Sequence, residues 1–199
     1  MRSIRCVLPL LALTVCAGPV TAQLVIGAGR AIEDNPKEKH LRNLRQLTFD
    51  GENAEAYWST DGTKLVFQRR SAGMPADQIY TLDLATGEVT RVSTGKGRTT
   101  CAYFLKGDDR IVFASTHHHG DAPPIVKMTG RGYQWAVHRE YDIFSVKPNG
   151  EGLRQLTDTV GYDAEATVCP KTGDIVFTSV RDGDLELYTM RPDGSNVQR

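Results

Sequence analysis

The sequence predicts an all-β fold, a β-propeller of four-stranded antiparallel blades, from three observations. Short apolar runs ending in Phe recur in phase, as Leu65-Val66-Phe67, Ile111-Val112-Phe113 and Ile175-Val176-Phe177. A polar turn with a Gly precedes each run: Asp61-Gly62-Thr63, Gly107-Asp108-Asp109 and Thr172-Gly173-Asp174. Between these landmarks the apolar residues alternate or run in short blocks, without the 3.6-residue period of a helix. Four strands per unit of roughly 40–50 residues is the signature of propeller blades. A β-sandwich would not require the same turn and the same Phe to return in phase.

Residues 1–22 read as a secretory signal peptide. Arg2 and Arg5 form the positive start, Cys6 to Cys16 an apolar stretch of 11 residues, and Val20-Thr21-Ala22 a small-residue end. Eleven apolar residues are too few to span a bilayer. Residues 23–43 form a lead segment, and the repeats occupy 44–199.

The first blade lies near 54–93, with Gln78-Ile79-Tyr80-Thr81-Leu82-Asp83 as its third strand and Val89-Thr90-Arg91-Val92-Ser93 as its fourth. The second lies near 99–157 and carries an insertion at 116–140, which lengthens the Phe-to-Phe spacing from 46 to 64 residues. Its third strand is Tyr141–Val146 and its fourth Leu153-Arg154-Gln155-Leu156-Thr157. The third blade, 163–199, has Glu186-Leu187-Tyr188-Thr189-Met190 as its third strand and is read as lacking its outer strand. Three blades fall short of the four to eight of a closed ring. The chain is therefore expected to be a fragment of a six- to eight-bladed propeller.

Charge narrows the function classes. Lys and Arg number 24 against 24 Asp and Glu, and without residues 1–22 the balance is 22 against 24. That balance lacks the electrostatic footprint of nucleic-acid binding. No second long apolar run suggests a membrane span. Of the four Cys, Cys101 and Cys169 lie outside the signal segment, without Cys-x-x-Cys spacing. In the repeat alignment Cys101 matches Glu55 and Glu165, whereas Cys169 matches Ser59. The offset along neighbouring strands is about 13 Å, too far for a disulfide. Both are expected to be unbonded, small buried groups.

Three stretches carry a resemblance: Arg45-Gln46-Leu47-Thr48, the hairpin Trp58-Ser59-Thr60-Asp61-Gly62-Thr63-Lys64-Leu65-Val66-Phe67, and Leu187-Tyr188-Thr189-Met190-Arg191-Pro192-Asp193-Gly194-Ser195-Asn196. With these the chain resembles the TolB-like propeller repeat family from about Leu44 to Arg199. Thr60 stands where the repeat usually has Pro, and Leu105-Lys106-Gly107-Asp108 replaces Ser-Pro-Asp-Gly in the second blade. The resemblance implies a periplasmic or secreted, non-catalytic module that binds a protein or peptide of the cell envelope, in a Tol-type transport or integrity system. It is also compatible with an accessory propeller of a secreted prolyl-oligopeptidase-like serine peptidase, whose catalytic domain would lie beyond residue 199.

Candidate functional residues fall in two places. In the insertion, His117, His118, His119 and Asp121 are ligand types for Zn²⁺ or Cu²⁺, but neighbouring imidazoles do not readily converge on one ion, and a polar loop is the simpler reading. Tyr133, Trp135 and His138 make the same insertion a candidate binding surface, although Trp135 would equally pack over the blade edge. Glu55 and Glu165 open equivalent inner strands and are expected to face the central channel, as partner-binding positions or as repeat-determined hydrogen bonding. No Gly-x-Ser-x-Gly elbow and no dinucleotide fingerprint is present. No catalytic residue, cofactor or metal is assigned.

Overall fold

A computed structural model describes residues 27–125, 130 and 136–199. The signal segment 1–22, Tyr133 and Trp135 lie outside the described residues. Within them the fold is all-β, and its helical part is a single 3₁₀ turn at His117–His119.

Three antiparallel sheets follow one another along the chain. The first contains β3 (Glu52–Trp58), β4 (Lys64–Arg70), β5 (Gln78–Asp83) and β6 (Val89–Arg91), paired in that order. The second contains β7 (Thr99–Phe104), β8 (Ile111–Ser115), β9 (Asp142–Val146) and β10 (Arg154–Gln155). The third contains β11 (Asp163–Val168), β12 (Ile175–Ser179) and β13 (Glu186–Met190). Each is a meander, as its Gly turns require.

The recurrent Phe fixes the register. Phe67 lies opposite Tyr80, Phe113 opposite Phe144 and Phe177 opposite Tyr188, with ring centroids 6.1, 6.1 and 5.8 Å apart. All three Phe are buried as expected, at 3%, 0% and 0% exposure. Adjacent side chains on one strand point to opposite faces. The face of each blade that carries Phe therefore packs toward the preceding blade, and the face that carries Val toward the next. Val66 and Ile79 share a core with Ala102, Ile111 and Phe113 of the second blade. Val112 and Ile143 share the next core with Ala166, Ile175 and Phe177 of the third.

Two pairings at the ends add to the sequence reading. Arg30–Ala31 (β1) lies in the lead segment, yet it pairs with Arg45–Gln46 (β2), with Ala31 opposite Arg45. That is the register of Ser145 opposite Arg154, so β1 and β2 form the outer half of a further blade. A two-residue strand without alternation leaves no pattern to read. At the other end, Gln198 exchanges backbone hydrogen bonds with Thr189 at 2.7 and 2.9 Å, in the place of Thr90 on Thr81. Among the described residues the third sheet keeps three strands, as expected, and this isolated bridge stands in its outer-strand position.

The blade faces differ in cover. Leu187 occupies the position of Ile79 and Ile143, which are 0% exposed, but is itself 67% exposed. Val176 is half-buried where Val66 and Val112 are fully buried. Trp58 is 55% exposed where its counterpart Phe104 is buried; among the described residues the strands on that side are the two-residue outer strands β1 and β2.

Candidate functional site

The inner strands β3, β7 and β11 each carry a β-bulge in the same phase. Between Ala54 and Tyr57 two residues face one on β4, and the shift recurs between Thr100 and Tyr103 and between Ala164 and Thr167. The first bulged residue is Glu55, Cys101 or Glu165, with φ of 54°, 48° and 57°. None is Gly, so each adopts the left-handed conformation at a steric cost. A bulge re-aims the side chain it carries, and these three converge.

The Cys101 thiol donates to Glu165 Oε2 at 3.0 Å and lies 3.7 Å from Glu55 Oε2. Glu55 Oε2 also accepts from the Tyr57 hydroxyl at 3.1 Å, and Glu165 Oε1 accepts from the Tyr162 hydroxyl at 2.9 Å. Tyr57 stacks on Tyr103 with centroids 4.0 Å apart. Tyr162 meets Tyr141 edge-on at 5.8 Å, and Tyr141 lies 6.2 Å from His138 at the end of the insertion. One continuous polar and aromatic path therefore joins His138 of the insertion to Glu165, Cys101 and Glu55 on three successive inner strands. It sits at the end of the sheets where second strands pass to third strands, the side that carries the insertion.

The electrostatics favour neutral donors around two carboxylates. Burial, followed by the hydrogen bond to Glu165, pushes the Cys101 thiol far above the ordinary thiol range. Burial and the neighbouring Glu55 do the same to the Tyr57 hydroxyl, and burial raises Tyr141. His138 is lowered by burial and by the charge of Arg98. Among the described residues neither Glu55 nor Glu165 forms an ion pair.

The histidines form a second group on the same side. His117 packs on the Phe144 ring at 4.4 Å and His118 at 4.8 Å, while His117 Nδ1 lies 2.8 Å from Ser115 Oγ. Burial first, then the charges of His118 and Lys96, pushes His117 down to about 4. His119 Nε2 lies 3.4 Å from Asp142 Oδ2, which also accepts from Gln155 Nε2 at 3.2 Å. Asp121 pairs with Lys96 at 2.9 Å rather than joining the imidazoles. Among the described residues no group of three or more His, Cys, Asp or Glu is arranged to hold a metal ion.

The structure thus joins three sequence candidates, Glu55, Glu165 and His138, and separates Asp121 from the histidines. Cys101, Tyr57, Tyr141 and Tyr162, which connect the site, were not among the candidates. The recurrence Glu55-Ala56-Tyr57 and Cys101-Ala102-Tyr103 was the sequence signal for Cys101 and Tyr57. Cys101 is buried but hydrogen-bonded, unlike a simple apolar filler, and Cys169 is only partly buried; both thiols are free.

No family model matches the chain. The Tol-Pal system protein TolB of Francisella tularensis subsp. mediasiatica is 27% identical over 145 residues, 73% of this chain and 28% of that protein. A solved structure of putative TolB from Agrobacterium tumefaciens superposes with a TM-score of 0.56 at 22% identity, covering 74% of this chain and 49% of that one. TolB from Acinetobacter baumannii gives 0.55 at 20% identity, covering 75% of this chain and 32% of that one. The chain spans less than a third of the length of the curated relatives it matches. In sequence and in fold it is TolB-like.

Proposed function

We propose that this TolB-like propeller chain is an exported, non-catalytic module that binds a protein or peptide of the cell envelope, in the periplasm and within a Tol-type system. The observation that carries this reading is the path from His138 through Tyr141 and Tyr162 to Glu165, Cys101 and Glu55. It gives a rigid rim of hydrogen-bond acceptors and aromatic edges, suited to recognition. Two carboxylates that are hydrogen-bonded but form no ion pair among the described residues favour a partner that presents Lys, Arg or a chain amine. The thiol among the described site residues is not an activated nucleophile: burial first, then its hydrogen bond to Glu165, holds it protonated.

The Francisella relative is named a Tol-Pal system protein, which supports an envelope setting. The signal-like segment 1–22 supports export. Among the described residues no helix is long and apolar enough to cross a membrane.

The test is capture of envelope proteins by the purified chain. Binding should weaken in the Glu55→Gln/Glu165→Gln double variant and on deletion of 117–138. Turnover of a peptide or ester substrate by the 23–199 segment, abolished by one point substitution, would overturn the non-catalytic reading and favour a hydrolase.

A further inference from the structure

On the face opposite this site, two clefts occupy equivalent places in the repeat and carry opposite charge. The first, between the first and second blades, contains Lys64, Asp83 and Glu88 as its charged lining. Lys64 Nζ is neutralised there by Asp83 Oδ2 at 2.5 Å across the β4–β5 pair. The second, between the second and third blades, has a volume of about 340 Å³ and contains Lys106, Arg110 and Arg154 against Asp109 and Asp193. In the register of the repeat Arg110 replaces Lys64, Lys147 replaces Asp83, and Arg154 replaces Thr90. The carboxylate that closes the first cleft has therefore become a cation.

The cations of the second cleft are held by neutral groups. Arg110 donates from Nε to Ser145 Oγ at 3.1 Å, and from Nη2 to the carbonyls of Ser145 and Gly152 at 2.8 and 2.7 Å. Those bonds fix the guanidinium without cancelling its charge. Lys106 Nζ donates to the Lys171 carbonyl at 2.6 Å. None of Lys106, Arg110 and Arg154 forms an ion pair among the described residues. Burial first, then the charge of Arg154, lowers the Arg110 pKa, against the opposing charge of Asp109.

We propose that this cleft binds the carboxylate groups of an acidic peptide segment, through Arg110, Arg154 and Lys106. Guanidinium groups match carboxylates bidentately. Leu105, Leu156 and Pro192 in the lining suit the methylenes of a Glu side chain. Asp109 and Asp193 disfavour a dianionic phosphate more than a monoanionic carboxylate.

The test is fluorescence anisotropy of a labelled hexaglutamate peptide titrated with the purified chain at low salt, with hexaglutamine as the uncharged control. The expected result is binding of hexaglutamate but not hexaglutamine, weakened about tenfold by Arg154→Glu and less by Arg154→Gln. Circular dichroism checks that both variants fold. The Glu55→Gln/Glu165→Gln variant should bind hexaglutamate unchanged, which separates this cleft from the site on the other face. Absence of hexaglutamate binding, or unchanged affinity in folded Arg154→Glu, overturns the proposal. So does displacement of the peptide by equimolar inorganic phosphate, which would make the cleft a phosphate site.

Discussion

Ile79, Ile143 and Leu187 share one repeat position but differ in cover, so truncating each to Ala gives an internally controlled test of the blade packing. Ile79 and Ile143 are 0% exposed and stand in the cores between blades. Removing a buried Ile side chain to Ala costs about 2–5 kcal/mol, from lost transfer energy plus the cavity left behind. Leu187 is 67% exposed. Full burial of a Leu contributes roughly 1.5–3 kcal/mol, so the covered third of this one contributes less than about 1 kcal/mol. In a domain of this size 1 kcal/mol shifts the Tm by about 2–4 °C. Thermal unfolding followed by circular dichroism should therefore show Ile79→Ala and Ile143→Ala melting about 4–20 °C early, with Leu187→Ala within about 4 °C of the parent. Equal losses at Ile143 and Leu187 would refute the reasoning, since they would mean that the outer face of the third blade is packed.

Three further outcomes are expected. His117 is held near 4 by burial, below its unfolded value of about 6.5, so between these limits the unfolded chain binds more protons than the folded one. Stability should thus fall as pH drops from 6.5 toward 4, and His117→Gln should flatten that slope in urea titrations; an unchanged slope contradicts the burial. At the left-handed bulge, Glu165→Val should lose roughly 1–2 kcal/mol more than Glu165→Gly, measured by the urea midpoint, because both variants lose the same hydrogen bonds and differ in backbone freedom. Equal effects would mean that the backbone there is not constrained. Partly exposed Cys169, its pKa lowered by hydrogen bonds from Thr172, should react with a thiol reagent in the native protein, whereas buried Cys101 should react only on unfolding; the reverse order, read by mass spectrometry of digested peptides, contradicts the assignment.

Much of the fold was legible in the sequence because each blade repeats one device, a Gly turn followed by an apolar strand ending in Phe. Phe67, Phe113 and Phe177 are buried in the same cross-strand place because a period of two leaves one face for each residue. The pairing of β1 with β2 was not legible, since it rests on backbone hydrogen bonds of Arg30 and Ala31 with no apolar pattern. At the candidate site, Glu55 and Glu165 were found through their phase, while Cys101 looked like a departure from the repeat. Their convergence depends on bulges that turn three side chains inward, and a bulge built on Glu or Cys has no Gly to announce it. The Asp121 pairing with Lys96 was hidden because the two lie on different connections.

Site-specific photo-crosslinking tests most directly whether a partner docks at the site formed by Glu55, Cys101 and Glu165. A photoreactive amino acid placed at Tyr57 or His138 on the site side, and separately at Gly62 or Asn149 on the opposite face, would be activated in an envelope extract. The expected result is a common protein adduct at Tyr57 and His138, lost in the Glu55→Gln/Glu165→Gln background and absent from Gly62 and Asn149. The same adduct at Gly62 and Asn149 but not at Tyr57 or His138 would contradict the placement of the site.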